Sequence, residues 1–351
     1  MIEVKNLTKE FKISKKQKGF WGSIKGLFKR EHEIKRALDN VSFTINDGDI
    51  VGYLGPNGAG KSTTIKIMCG ILTPTSGECT INNMIPWKDR VTYVKDIGVV
   101  FGQRSQLWWD VPVIDSFYLL KDIYKIPTDV FNSQLEILTK QLDLEEIINV
   151  PLRQLSLGQK MKCELAGSLL HKPKILFLDE PTIGLDATSK LKVRDFIKQI
   201  NKEMGITVIL TTHDMNDIEA LTNKIIIIGK GQLLFNGSFD EIKHKYKNFR
   251  TVEIEFEQEY NEIKLDGFEF VKKEGRLQTF KTTKKDFKLS DFVVEISKKY
   301  KVIDVQVESI SLEEIISKMF EELGVWGRIN HYLKLDLLTP YNTELLLLLV
   351  C

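Results

Sequence analysis

The sequence contains Gly55-Pro56-Asn57-Gly58-Ala59-Gly60-Lys61-Ser62-Thr63 directly after the apolar run 50–54. This stretch fits the pattern G-x-x-x-x-G-K-[ST], which a strand precedes and a helix follows. Its glycines let backbone N–H groups surround phosphate oxygens, and the helix N-terminus adds partial positive charge. We expect Lys61 to reach the β- and γ-phosphates of a nucleotide and the Ser62 hydroxyl to ligate Mg²⁺. The alternative is a glycine turn that binds no ligand.

Further apolar runs of strand length lie at 97–101, 175–178, 208–211 and 225–228. Because helical patterns separate most of them, the sequence predicts an α/β fold with a mainly parallel sheet. Helical periodicity dominates between about 102 and 170, which predicts an inserted helical subdomain within a domain that spans 1–238. Strands with period-two patterns and two helical stretches then predict a small α+β domain over 239–322. Residues 323–351 fit no clear pattern and are expected to form an irregular tail.

Composition excludes several other classes of protein. The 351 residues are 42% hydrophobic and 28% charged with a net charge of +2, a soluble balance that gives no general case for nucleic-acid binding. No run reaches the roughly 20 apolar residues that cross a bilayer, so another chain would have to supply any membrane path. The cysteines show no metal-binding spacing and suit a reducing compartment. They are Cys69, Cys79, Cys163 and Cys351.

A pair of carboxylates ends the apolar run 175–178, as Asp179-Glu180. Unpaired charge at the end of a buried strand is costly, so a functional reason is expected. We expect Asp179 to hold Mg²⁺, directly or through water, and Glu180 to act as general base on the attacking water. The alternative is an ordinary acidic strand end.

The segment Leu155-Ser156-Leu157-Gly158-Gln159 lies shortly before that acidic pair, and Gly184-Leu185-Asp186 and then His213 follow the pair. With the phosphate-binding turn, this order resembles the ATPase family of ABC transporters, whose signature has the sequence LSGGQ. The resemblance covers about residues 1–238, and Leu157 departs from the usual glycine. It implies a RecA-like P-loop NTPase core with an antiparallel β subdomain and an inserted helical subdomain.

The resemblance also implies a head-to-tail dimer of this chain with itself or with a homologous ATPase subunit. Each ATP would lie between the phosphate turn of one protomer and the signature of the other, where Ser156, Gly158 and Gln159 complete the site. Asp186 resembles the residue that links the two sites, and His213 resembles the switch histidine that contacts the γ-phosphate. A structural histidine is the alternative for His213.

Two further site residues follow from the same resemblance. Gln103 is similar to the glutamine that senses Mg²⁺ and the attacking water, although Gly102 adds one residue to the common spacing. Phe11 is similar to the early aromatic residue that stacks on adenine, and its alternative is a core phenylalanine. The expected cofactors are ATP and Mg²⁺, with Ser62, Gln103 and Asp179 around the metal.

Two stretches suggest contact with a membrane system. The insertion 12–36 is strongly basic, and its apolar residues fall at helical spacing, which favours an amphipathic helix on an anionic membrane surface or on a permease. A solvated loop whose aromatic residues pack on the ATPase domain is the alternative. These apolar residues are Phe20, Trp21, Ile24, Leu27 and Phe28. Trp108 and Trp109 form either an interface for the permease or part of the helical core.

The stretch 101–117, with the core Gln106-Leu107-Trp108-Trp109-Asp110, and the later segment Ser311-Leu312-Glu313-Glu314-Ile315 give a further resemblance. They are similar to the exporter branch of bacterial ABC ATPases that work with separate type-2 permeases. This implies a subunit at the cytoplasmic face of the cell membrane that drives export of a lipophilic drug, antibiotic, lipid or glycan through an integral membrane permease. The domain 239–322 would stabilise or regulate the dimer, or be a structural appendage. A non-transport ABC ATPase in translation or DNA maintenance is the alternative, which the single phosphate turn and the absence of a long coiled-coil pattern disfavour.

Overall fold

The computed structural model describes residues 1–14, 32–102, 105–246, 249–282, 284 and 287–322. The chain divides into two compact units, of which the first is Met1–Phe239 and the second begins at Asp240. Within these ranges the strands are β1 (Ile2–Ser14), β2 (His32–Ile45), β3 (Ile50–Leu54), β4 (Ser76–Ile81), β5 (Ile97–Phe101), β6 (Ile175–Asp179), β7 (Thr207–Thr211), β8 (Lys224–Gly229), β9 (Gln232–Ser238), β10 (Arg250–Phe256), β11 (Phe268–Glu274), β12 (Leu277–Thr282) and β13 (Val302–Ser309). The α-helices are α1 (Lys61–Met68), α2 (Arg90–Tyr93), α3 (Val113–Tyr124), α4 (Thr128–Leu142), α5 (Leu157–Leu169), α6 (Ala187–Met204), α7 (Met215–Leu221), α8 (Phe239–Lys245), α9 (Leu289–Ser297) and α10 (Leu312–Glu322).

The main sheet of the first unit has the strand order β5-β6-β7-β3-β8-β9 in the described part of the chain. Neighbouring strands from β5 to β8 pair in parallel, and β9 pairs antiparallel with β8. Every residue of β3 and β7 is buried, as expected for parallel strands covered on both faces. The α/β fold predicted from the alternation of strands and helices is therefore confirmed.

A second sheet of the first unit is antiparallel, with the described strands in the order β2-β1-β4. Its apolar residues join one core with those of the main sheet, among them Val4, Phe43 and Tyr53. The basic insertion predicted over about 12–36 begins and ends on these strands. Lys12 pairs with Ile34 and Ser14 pairs with His32, so these residues extend the β1–β2 ladder. The predicted apolar stripe lies at 20–28, outside the described residues.

The helices α3, α4 and α5 lie between β5 and β6, where helical periodicity predicted a subdomain. Phe117, Phe131 and Leu138 are buried among them. At the end of this subdomain the His171 ring stacks on Tyr124 with centroids 4.0 Å apart, and its Nε2 lies 2.8 Å from the Ile97 carbonyl of β5. The helical subdomain is thus attached to the sheet by a histidine.

The second unit contains an antiparallel sheet whose described strands have the order β11-β12-β10-β13. Residues that alternate along β10 are buried and form a core with Phe280, Phe292 and Ile296. The period-two pattern of β10 arises because one face of this sheet is covered. Helices α9 and α10 overlap the two helical stretches expected in this domain. Strand β12 was not predicted from the sequence.

Candidate functional site

The candidate site lies at one edge of the main sheet, where neighbouring parallel strands end. Strand β3 ends at Leu54, β6 at Asp179 and β7 at Thr211, and the three strands are adjacent in the order β6-β7-β3. Ligands of open α/β sheets bind at the carboxyl ends of the strands. The sheet order therefore brings the phosphate turn, the acidic pair and His213 together, although they are far apart in sequence.

The phosphate turn has the backbone geometry that an anion site requires. Gly60 precedes α1 with φ of 110°, and a Cβ there would lie 2.6 Å from the Ala37 carbonyl oxygen. No other residue type fits such a close approach and left-handed φ. No side chain caps α1, so the N–H groups of its first turn remain for a ligand. A phosphate group suits this position by hydrogen bonding and by the helix dipole.

Lys61 is a buried cation in this site, with only 8% of its surface exposed. Its Nζ donates hydrogen bonds to the carbonyl oxygens of Gly55 at 2.6 Å and Pro56 at 3.4 Å. Burial lowers the pKa of Lys61, and the negative charges of Glu180 and Asp179 oppose that shift. The two carboxylates therefore lie close enough to Lys61 to stabilise its positive charge.

The acidic pair is held by strand β7. The Asp179 carboxylate accepts a hydrogen bond from Thr211 Oγ1, and the Glu180 N–H donates to the Thr211 carbonyl at 2.9 Å. Glu180 has φ of 57°, a left-handed conformation that is uncommon for residues other than glycine. Its Oε1 lies 3.0 Å from Nε2 of His213, whose side chain is half exposed. A left-handed backbone at a residue whose carboxylate contacts an accessible imidazole is typical of a functional site.

The chemistry of these groups fits a magnesium ion bound together with a nucleotide. Ser62 and Asp179 offer the oxygen ligands that Mg²⁺ takes, while the described residues contain no cluster of three or more carboxylate, histidine or cysteine ligands. Mg²⁺ commonly completes its coordination with substrate phosphates and water, so a sparse protein ligand set suffices. The third expected ligand, Gln103, lies outside the described residues. Its neighbour Gly102 donates its N–H to the Asp179 carbonyl at 2.7 Å.

The signature segment forms a second cluster with Asp186. Ser156 is the N-cap of α5 and forms a capping box, in which its Oγ accepts from the Gln159 N–H and its own N–H donates to Gln159 Oε1. A Cβ on Gly158 would lie 2.6 Å from Ser189 Oγ, which donates to the Asp186 carboxylate at 2.6 Å. Leu157, which stands where the family signature has glycine, packs beside Gly184, where a Cβ would lie 2.9 Å from Leu157 Cδ2. The structure thus brings the signature close to Asp186 within one chain.

A buried ion pair between Arg194 and Asp217 was not predicted from the sequence. Asp217 is fully buried on α7, and its carboxylate forms an ion pair with Arg194 of α6 at 2.5 Å. The same carboxylate accepts hydrogen bonds from Thr182 and Thr212, which flank Glu180 and His213 in sequence. This network joins the two segments that carry the catalytic candidates. The Thr211-Thr212 pair before His213 is the only sequence signal that we can identify for it.

The remaining predicted residues lie elsewhere on the first unit. Phe11 is half-buried on β1, opposite Lys35 of β2, and Lys9 Nζ lies 5.2 Å from its ring centroid. Trp108 and Trp109 are 58% and 52% exposed, so the alternative that they form the helical core is wrong. Lys160 of α5 covers the Trp109 ring at 4.2 Å. No described helix combines the length and hydropathy of a membrane span.

Several known proteins are similar to this chain in sequence or fold. The family model of the ABC transporter matches residues 38–183. A Clostridium acetobutylicum chain named as an ABC transporter ATP-binding protein is 31% identical over 62% of this chain and 79% of its own length. YbhF of Escherichia coli strain K12 is named as a multidrug ABC transporter ATP-binding protein and is 34% identical over 65% of this chain. The matched region covers only 39% of the length of YbhF. The dimeric ATP-binding cassette MJ0796 bound to ADP and Pi is 30% identical, with a TM-score of 0.56 over 68% of this chain and 98% of that one.

Proposed function

The chain is an ATPase that belongs to the ATP-binding proteins of ABC transporters, and on this premise we propose that it drives a separate membrane permease. One observation carries the catalytic part of the proposal. The buried Lys61, the acidic pair and His213 meet where β3, β6 and β7 end, with His213 Nε2 3.0 Å from Glu180. This is the set of charges that phosphoryl transfer to water requires.

Each site residue has a role in that reaction. Lys61 exchanges its carbonyl partners for phosphate oxygens when ATP enters the turn. Glu180 accepts a proton from the attacking water, and His213 orients Glu180 and contacts the γ-phosphate. Mg²⁺ held by Ser62, Asp179 and Gln103 would neutralise charge on the phosphates. Phe11 provides a face on which adenine stacks.

We infer that two protomers complete each site, as in the head-to-tail arrangement expected from the signature. Ser156 caps α5 at an exposed position, so the positive end of the helix dipole is available to a phosphate of the opposite protomer. Asp186 lies beside this signature and is placed to link the sites. The dimeric state of MJ0796 supports this arrangement.

The direction of transport is part of the proposal. YbhF, whose name assigns it to multidrug transport, supports export of a lipophilic compound. The exposed Trp108 and Trp109 provide an apolar surface on which an integral membrane permease can dock. The protein would then lie at the inner face of the membrane, and residues 12–36 would contribute peripheral contact.

A mixing experiment tests the composite site. Lys61→Ala removes the phosphate lysine, and Ser156→Arg blocks the signature at an exposed position, so each variant alone should lack ATPase activity. A mixed dimer contains one intact site, formed by the turn of the Ser156→Arg chain and the signature of the Lys61→Ala chain. Recovery of activity on mixing is expected. Activity of the Ser156→Arg variant alone, at the rate of the unmodified protein, would show that the signature of a second chain is not needed.

The transport role is tested by isolating the full-length protein with its membrane partner. A stable complex with an integral membrane protein, whose presence increases ATP turnover, is the expected result. Specific association with ribosomes or DNA in place of such a complex would support the non-transport alternative and refute the proposal.

A further inference from the structure

Glu164 is a carboxylate with no place in the catalytic scheme, although it is buried in the helical subdomain. It lies on α5 with 6% of its surface exposed, about 12 Å along the helix from the signature residue Ser156. Burial raises the pKa of Glu164, and hydrogen bonds to its carboxylate oppose that shift. Burial of a carboxylate in the core of the helical subdomain destabilises the fold unless hydrogen bonds compensate for the lost water.

Among the described residues, the Glu164 carboxylate accepts hydrogen bonds from one segment, residues 105–109, which we call the connecting segment. Ser105 Oγ donates to Glu164 Oε1, the Gln106 N–H donates to Oε2 at 3.2 Å, and the Leu107 N–H lies 3.5 Å from Oε1. Gln106 Nε2 also donates to the Glu164 carbonyl at 3.1 Å. A carboxylate is the acceptor that suits several converging donors, because it has two oxygens and donates nothing when ionised.

The chain is hydrogen-bonded to a different element before the connecting segment and near its end. Before it, the Gly102 N–H is bound to the Asp179 carbonyl at the end of β6. At its other end, the Trp108 N–H donates to Ser116 of α3, and Lys160 of α5 covers the Trp109 ring. Helix α5 therefore holds the connecting segment through Glu164 and through Lys160. The same helix begins at the signature.

We propose that Glu164 is a positioning residue that fastens the connecting segment to the signature helix, so that displacement of α5 by ATP is transmitted to Trp108 and Trp109. This inference rests on the proposed function, since it assumes that ATP engages the signature of the opposite protomer. Loss of the Glu164 hydrogen bonds leaves the nucleotide site intact but weakens the link between the tryptophans and α5, which then depends on Lys160. Glu164 thereby acts on coupling and takes no part in bond cleavage.

The test uses tryptophan fluorescence in the full-length Glu180→Gln protein, which is expected to hold ATP without turnover. Acrylamide quenching is measured with and without ATP and Mg²⁺, while the mass of the complex in solution reports the dimer. A Trp108→Phe/Trp109→Phe variant identifies the part of the signal that these two residues contribute. Glu164→Gln is then added, because its amide retains the size of the side chain but offers one acceptor oxygen in place of two.

We expect ATP still to form the dimer in the Glu164→Gln variant, while the ATP-dependent change in quenching from Trp108 and Trp109 is reduced to the part that the Lys160 contact transmits. An unchanged quenching response in a dimer of normal mass would overturn the proposal. Failure of the Glu180→Gln protein itself to dimerise would instead refute the proposed function, so the two failures are distinct.

A second variant guards against misfolding of the first. Ser105→Ala removes one donor to Glu164 at an exposed position and leaves the buried carboxylate in place. We expect it to reduce the quenching response partially, and the double variant with Glu164→Gln to show no further loss, because both changes remove one interaction. If the losses of quenching response in the two single variants simply add in the double variant, Ser105 and Glu164 do not act through one interaction.

Discussion

Nε2 of His213 lies 3.0 Å from Oε1 of Glu180, so the side chains that follow two adjacent strands, β7 and β6, are in direct contact. Glu180 adopts a left-handed φ of 57° in this arrangement, which costs of order 1–3 kcal/mol for a residue other than glycine. The strain is sustained by the Thr211 carbonyl and by the network around Asp217. Hydrogen bonds from neighbouring strands and helices thus hold the segments that carry the two catalytic candidates.

Replacement of Glu180 by glutamine should retain ATP binding and abolish turnover. The amide keeps the size of the side chain but accepts no proton from water, and a general base typically contributes about 10²- to 10⁴-fold to a rate. Steady-state phosphate release and the mass of the ATP-bound dimer measure the two effects. Full ATPase activity in this variant would show that Glu180 is not the base.

Replacement of Lys61 by alanine should weaken ATP binding by about 10- to 150-fold, because charge-assisted hydrogen bonds of about 1.5–3 kcal/mol are lost. Calorimetric titration with a non-hydrolysed ATP analogue measures this change. Lys66→Ala is a matched control in the last turn of the same helix, α1. Equal losses in the two variants would indicate a nonspecific effect of charge on nucleotide binding.

Replacement of Asp217 by alanine should destabilise the protein by about 3–5 kcal/mol, since it leaves the largely buried Arg194 without its closest partner. Among the described residues, the ion pair that Arg194 then retains is the longer one to Asp214, at 3.6 Å. Chemical denaturation measures the free energy of unfolding. Glu136→Ala, which breaks the exposed pair with Lys140, is the control and should change little. A comparable loss in that control would disprove the special importance of the buried pair.

Replacement of Trp108 and Trp109 by alanine should leave the stability and the ATPase activity of the isolated subunit nearly unchanged, because both rings are more than half exposed. The increase in turnover caused by the permease should disappear if the rings dock there. Val91→Ala, at an apolar residue that is 80% exposed, is the matched control. Normal stimulation of the double tryptophan variant would place the permease contact elsewhere.

His171 should make the stability depend on pH. Burial lowers the pKa of His171 below its ordinary value of about 6.5, although the Ile97 carbonyl and the charge of Asp96 oppose the shift. The unfolded chain therefore binds the proton more tightly, so the stabilisation is present above about pH 6.5 and is lost as the pH falls through the folded pKa. His171→Phe retains a ring to stack on Tyr124 but does not titrate.

Denaturation curves of both proteins between about pH 8 and pH 5 test this expectation. The free energy of unfolding of the unmodified protein should fall relative to that of His171→Phe as the solution is acidified, by at most about 1.4 kcal/mol per pH unit. Parallel pH profiles for the two proteins would contradict the buried, neutral state of His171.

Sequence alone determined the features that depend on contiguous residues. The phosphate turn, the Asp179-Glu180 strand end and the signature each combine a local backbone geometry with fixed residue types, so their presence and order predict the fold. Strands within the described residues followed from apolar runs, because parallel strands are covered on both faces. The ladder that β1 and β2 form at the ends of the predicted insertion was not expected from the sequence, since it depends on pairing between residues distant in sequence.

Tertiary structure alone decided which side chains meet. The order of β6, β7 and β3 brings Glu180 to His213, and the crossing of α6 and α7 pairs Arg194 with Asp217. The same is true of Glu164, whose partners lie about 60 residues away, at 105–107. A buried charge has no local signature in a sequence, because its cost and its compensation depend on what the rest of the chain places around it.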